Sequence, residues 1–140
     1  MTEPVWPRRA WVDAIHFQQL KRFGGAFGVR DEGAIEAALA RPMNRWAYGE
    51  KPDVATLAAG YGFGLARNHG YIDGNKRIAF LAMAVFLELN GWRVVADEAD
   101  VVRTIVGLAS GDVDEAELAE WVREHMHPVA GGEAERSGAG

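Results

Sequence analysis

The chain has no cysteine in its 140 residues. Disulfides and thiolate metal sites are therefore excluded, and a reducing compartment is permitted. It also lacks an excess of positive charge. Fifteen Lys and Arg stand against 20 Asp and Glu, for a net charge of −5 and a pI of about 5.3. So acidic a chain is a poor general binder of nucleic acid, and no direct nucleic-acid partner is expected. Long apolar runs are missing too. The longest, Ile78 to Leu87, is far too short to span a bilayer. The opening "MTEPVWPRRAW" has nothing like the apolar stretch of a signal peptide. No membrane partner and a cytoplasmic location are expected. No internal repeat is visible.

What is present fits one domain. Hydrophobic residues make up 49% of the chain, enough for a single core. The domain is expected over residues 1–127. A flexible tail is expected over 128–140, where "AGGEAERSGAG" offers no large apolar side chain to offset ordering entropy.

The remainder reads as helices punctuated by glycine. A first helix is predicted over Arg9 to Phe23, with Trp11, Ile15 and Leu20 on one stripe and Gly24-Gly25 as its stop. A second runs from the N-cap Asp31 to Arg41 and ends at Pro42. "PMNRWAYGEKP", residues 42–52, reads as a loop or short hairpin bounded by prolines. A third helix is predicted from Asp53 to Asn68 and a fourth from Asn75 to Asn90. The fourth is apolar nearly all round, which puts it at the centre of a bundle. "WRVV", residues 92–95, reads as briefly extended, and two more helices are predicted beyond it, over Glu98 to Ala109 and Asp114 to His125. With no set of strands able to form a sheet, the fold class is all-α: about six helices around a buried central one.

Some local signals have plain explanations. "GYGFG", residues 60–64, follows no strand and is closed by no Lys-Ser or Lys-Thr pair, so close helix packing accounts for it better than a phosphate loop. "HMH", residues 125–127, offers two histidines without a third ligand, and solvation is the simpler reading. His16 lies in an apolar helix as a hydrogen-bonded, partly buried histidine. Trp46 and Tyr48 either grip a partner or fold back on the core.

"NHGYIDGNKRIAF", residues 68–80, is different. Structural roles cover part of it: Asp73 as cap of the fourth helix, Tyr71 and Ile72 as staples, His69 as the end of the third. They leave Lys76 and Arg77 unexplained, two cations in a first helical turn, where the helix dipole disfavours positive charge. An anion resolves this. Free amides at a helix start form an anion site, Gly74 allows close approach, and Lys76 and Arg77 add charge for a polyphosphate. Asp73 would repel phosphate unless a divalent metal lay between, which points to Mg²⁺. His69, just before the site, is placed to take a proton from an attacking hydroxyl. The combination describes phosphoryl or nucleotidyl transfer.

"HGYIDGNKR", His69 to Arg77, resembles the Fic/Doc signature, whose Doc branch reads H-x-F-x-D-[AG]-N-K-R. Tyr71 stands for the usual Phe. "FGGAFGVRDEGAIEAALARP", residues 23–42, is similar to the Gly-Gly, Arg-Asp-x-Gly and Pro pattern that precedes the motif in Doc-like proteins. "FLELNGW", residues 86–92, resembles the stretch on the C-terminal side of the motif in those proteins, and His16 falls where the first Doc helix often carries His. The likeness covers about residues 10–125. It implies a Fic-type helical bundle and a toxin of a type II toxin–antitoxin module. The family's type toxin is a protein kinase that uses ATP and Mg²⁺ to phosphorylate elongation factor Tu and halt translation. Its Phd-like antitoxin lays a helix along a groove of the toxin.

The resemblance also implies roles. His69 would be the general base, and Asp73 the Mg²⁺ ligand. Gly74, Asn75, Lys76, Arg77 and, more remotely, Arg67 would bind phosphates. Arg45, Trp46, Ala47 and Tyr48 would form a short β flap that aligns the target. Fic enzymes that transfer AMP read G-N-G-R-x-x-R; here Lys76 replaces the second glycine and Phe80 the second arginine. That departure favours γ-phosphate transfer over the alternative of AMP or other nucleotidyl transfer. A non-catalytic helical binding module is the remaining alternative, and it gives no reason for the His69, Asp73, Asn75, Lys76 and Arg77 set. No (S/T)-x-x-x-E-(G/N) inhibitory helix is found, in keeping with control by a separate antitoxin. Gly70, where Pro or a larger apolar residue is usual, predicts a softer catalytic loop. Ile78 replaces a common Thr.

Overall fold

The computed structural model describes residues 2–129. Six helices and two short strands run in the order α1 (Arg9–Phe23), α2 (Glu32–Ala47), α3 (Val54–Asn68), α4 (Asn75–Leu89), β1 (Trp92–Val94), α5 (Glu98–Ser110), α6 (Glu115–His125) and β2 (Met126–Pro128). The all-α expectation holds. β1 and β2 pair antiparallel, with Trp92 opposite Pro128 and Val94 opposite Met126. The tail expected from residue 128 therefore has Pro128 in a strand, and the Val129 amide donates to the Gly91 carbonyl at 3.0 Å. Residues 130–140 lie outside the described residues. No helix among the described residues is long and apolar enough to cross a membrane.

Side chains cap three of the six helix starts. Asp31 accepts from the Ala34 amide at 3.1 Å, and Asp53 from the Thr56 amide at 3.0 Å. Asp114 and Glu117 form a reciprocal capping box at α6.

Two predictions need correction. The second helix does not stop at Pro42; it runs on to Ala47 with Pro42 inside it. A proline there forfeits one helical bond and crowds the preceding turn. Pro42 is buried, and its ring packs on Gly60, where an added Cβ would meet Pro42 Cγ at 3.1 Å. Gly64, one turn on, lies against Ala38. Burial between α2 and α3 thus offsets the lost bond, and the expected loop or β flap over 42–52 is helical for its first half. The second correction concerns the centre. α3, not α4, is the hub: ten of its fifteen residues are buried, from Ala55 to Ala66. α4 buries Ile78, Ala79, Ala82, Met83, Phe86 and Leu87, and leaves Phe80 and Leu81 only partly covered. The glycines of "GYGFG" are the packing devices expected: Gly60 and Gly64 face α2, while Gly62 faces Met83 of α4 and Leu118 of α6.

Candidate active site

α3 and α4 are joined by the loop 69–74, which delivers the candidate residues to one place. A cavity of about 350 Å³ is lined by Gly24, His69, Ile72, Asp73, Gly74, Asn75, Lys76 and Arg77. His69 closes α3 in the left-handed region, at φ 50°, ψ 49°. Gly74 precedes α4 at φ 76°, a conformation that glycine adopts without steric cost.

α4 begins its bonding with the Ile78 amide on the Gly74 carbonyl at 3.0 Å. The amides of Asn75, Lys76 and Arg77 therefore have no intrahelical acceptor and head the positive end of the helix. Lys76 and Arg77 are exposed, and neither forms an ion pair with a carboxylate among the described residues. Arg77 reaches the Gly24 carbonyl at 3.4 Å and lies over the Phe23 ring. The cations are free to serve an anion.

Asp73 is not the cap of α4. Its Oδ1 accepts from the Gly74 amide at 2.8 Å and its Oδ2 from the Ala26 amide at 3.2 Å. Those two amides, with Arg77 nearby, hold its carboxyl below the usual range, so it is ionised at neutral pH. An exposed carboxylate with a lone pair left on each oxygen fits one ligand of a divalent cation. No group of three or more His, Asp or Glu among the described residues could hold a metal. Asp73 is the one carboxylate that lines the cavity, and it could supply a single oxygen ligand to a divalent cation.

Other candidates sit differently. The Asn75 side chain is engaged with the backbone of Tyr71, accepting from its amide at 3.0 Å and donating to its carbonyl at 2.9 Å. It holds the loop, leaving the Asn75 amide for an anion. Arg67 is not among the cavity residues; its guanidinium lies over Phe63, one turn back in α3. In the expected flap, Arg45, Trp46 and Ala47 are helical. Trp46 is buried in the core, whereas Tyr48 is 84% exposed. The flap roles expected of these residues through β pairing do not match a helical segment.

The loop is also firmer than Gly70 led one to expect. Gly70 is buried, and a Cβ there would overlap Cγ1 of Ile35 and stand 3.1 Å from the Ile35 amide nitrogen. Its carbonyl accepts from the amides of Arg30 and Asp31, at 2.8 and 2.9 Å. The Ile72 amide donates to the Gly28 carbonyl at 3.0 Å, beside a bridge between Val29 and Tyr71. Tyr71 is buried, stacks on His16 and donates its hydroxyl to Asp13 at 2.5 Å. Burial, and then the Asp13 carboxylate, raise the Tyr71 pKa well above its ordinary value.

Sequence reasoning missed the strap formed by residues 24–31. Its signal was Gly24-Gly25, read as a helix stop and as part of the Doc-like pattern but not as a contact of the site. Both have positive φ, and a Cβ on Gly25 would stand 2.9 Å from Asp73 Oδ2. The His125–His127 pair is split: His125 ends α6, stacked on Trp121 with Nε2 3.2 Å from Asp100, and His127 lies exposed on β2.

The model of the Fic/DOC family matches residues 6–87. Protein kinase doc of Escherichia phage P1 is 34% identical over 110 residues, covering 79% of this chain and 86% of that protein. Toxin Doc of Mycolicibacterium smegmatis is 46% identical over 77 residues, covering 54% of this chain and 58% of that protein.

Proposed function

Because the chain belongs to the Fic/DOC family, we propose that it is a Doc-type toxin that works as a protein kinase. It transfers the γ-phosphate of Mg²⁺-ATP to a Ser or Thr hydroxyl of a translation protein in the cytoplasm. Elongation factor Tu is the candidate that the family likeness supplies. The observation that carries this reading is the pair Lys76 and Arg77, which form no ion pair with a carboxylate among the described residues and border a cavity that His69 also lines.

Each residue has a task in that chemistry. The imidazole of His69 takes the proton of the target hydroxyl. The freed oxygen attacks the γ-phosphorus, and the bond to the β–γ bridging oxygen breaks, releasing ADP. Lys76, Arg77 and the amides of Asn75 to Arg77 meet the charge on the transferring phosphoryl oxygens. Asp73 would hold Mg²⁺, which when bound with ATP neutralises phosphate charge. Lys76 at the second-glycine position and Phe80 at the second-arginine position favour γ transfer over nucleotidyl transfer.

The antitoxin reading has its own support. A groove of about 470 Å³ between α1, α4 and α5 is lined by Phe23, Phe80, Leu81, Val102 and Val106 and ends at Lys76 and Arg77. Phe23 and Val102 are more than half exposed, at 56% and 54%. An amphipathic helix of a Phd-like antitoxin, seated there, would bury this face and cover the phosphate-binding cations.

The test is paired labelling. The protein and its His69→Ala form are incubated with Mg²⁺, a bacterial lysate and ATP labelled at the γ or the α phosphate. Label on one band from γ-ATP alone, lost in His69→Ala, is the expected result. Label from α-ATP would establish nucleotidyl transfer instead.

A further inference from the structure

Arg30 belongs to the Arg-Asp-x-Gly stretch and takes no part in the chemistry above, yet it is bonded to the residue that does. Its Nε–H donates to the His69 carbonyl at 2.7 Å and its Nη2–H to the Asn68 carbonyl at 3.1 Å. Both acceptors are among the terminal carbonyls that α3 cannot satisfy itself, at the end where a cation is favoured. His69 is one of only two non-glycine residues with positive φ among the described residues. Side-chain crowding disfavours that conformation, so something must hold it. Gly74 and the other loop glycines need no such support.

We infer that Arg30 is a positioning residue for His69, fixing the imidazole at the cavity by clamping the carbonyls of Asn68, the last residue of α3, and of His69, its C-cap. The backbone around it reinforces the clamp. The amides of Arg30 and Asp31 hold the Gly70 carbonyl, and the Asn68 side chain donates to the Ala34 carbonyl at 3.1 Å. Arg30 does not line the cavity, so its loss would leave the nucleotide's own contacts in place. The planar fork of arginine reaches two carbonyls at once; a lysine ammonium, a point charge, would keep one.

The inference rests on the kinase reading, and its test separates the two. Arg30→Ala, Arg30→Lys and a surface control, Arg93→Ala, are compared with the unchanged protein in γ-phosphate transfer, per folded molecule. Arg30→Ala is expected to lose about 100-fold in kcat, the scale of a misplaced catalytic group, with the KM for ATP unchanged. Arg30→Lys should fall between, added guanidinium should restore part of the Arg30→Ala activity, and Arg93→Ala should match the parent. Hydrogen exchange at the Asp31 and Ile72 amides, which bond across the strap, should quicken in Arg30→Ala. A kcat within about twofold of the parent, or a rise in KM that accounts for the whole loss, would overturn the positioning role. If the parent itself transfers no γ-phosphate, the kinase reading fails, and unchanged exchange at those two amides would then overturn the clamp as well.

Discussion

Nε2 of His16 lies 2.7 Å from the carbonyl oxygen of Asp73. A carbonyl only accepts, so this buried histidine of α1 carries its proton on Nε2 and donates it to the loop that bears the proposed metal ligand. His16→Ala removes that donor and the stack on Tyr71, and leaves a partly buried acceptor unmet. We predict a loss of about 1–3 kcal/mol in urea unfolding, with part of it restored by Gln. An unchanged midpoint in His16→Ala would show that the bond carries no stability.

Gly70 and Ile35 share one space. Gly70→Ala drives a Cβ into Cγ1 of Ile35, a cost of about 1–3 kcal/mol for overpacking. It should also lower kcat, because the strain falls on the residue next to His69. Ile35→Ala makes room. The double variant should therefore transfer phosphate better than Gly70→Ala alone, and simple additivity of the two effects in a mutant cycle would argue against the steric account.

The unpartnered cations predict a salt response. Affinity for a fluorescent ATP analogue should fall steadily between about 0.05 and 0.5 M salt as screening grows. Lys76→Gln should weaken binding about 10- to 100-fold, the scale of a hydrogen bond between charged groups. Salt-independent binding would mean that neither cation meets the phosphates.

Stability should respond to acid through Asp53. Burial pushes its carboxyl up, but Arg123, with the hydroxyl and amide of Thr56, outweighs this and sets the pKa at about 2. A carboxyl depressed in the folded state stabilises fully above its unfolded pKa of about 4. That contribution fades as pH falls from about 4 towards 2. The pair is half exposed, so the effect should be under about 1 kcal/mol. Urea midpoints from pH 2 to 5 should decline less steeply in Arg123→Ala; parallel curves would contradict the linkage.

Much of this was legible in the residues. α1 matches its predicted bounds because Gly24-Gly25 is an unambiguous stop, and the Asp caps marked the starts of α2, α3 and α6. Lys76 and Arg77 drew attention to the start of α4 by violating the dipole rule. What failed was tertiary. Pro42 reads as a breaker until Gly60 stands beneath it. An apolar α4 reads as the hub until the small residues of α3 let its neighbours crowd closer. Arg30 was visible as part of a pattern, but nothing in the chain says that it meets a carbonyl 39 positions away.

Gly62 of α3 leaves room for Met83 of α4 and for little else; a Cβ there would stand 2.5 Å from the Met83 sulfur. His69 ends the first of these helices and Asn75 begins the second. The packing of α3 on α4 at Gly62 therefore bears on the spacing of the two helix ends that flank the loop 69–74. In this chain a side chain added seven residues upstream of His69, wholly out of solvent, is expected to push those two helix ends apart.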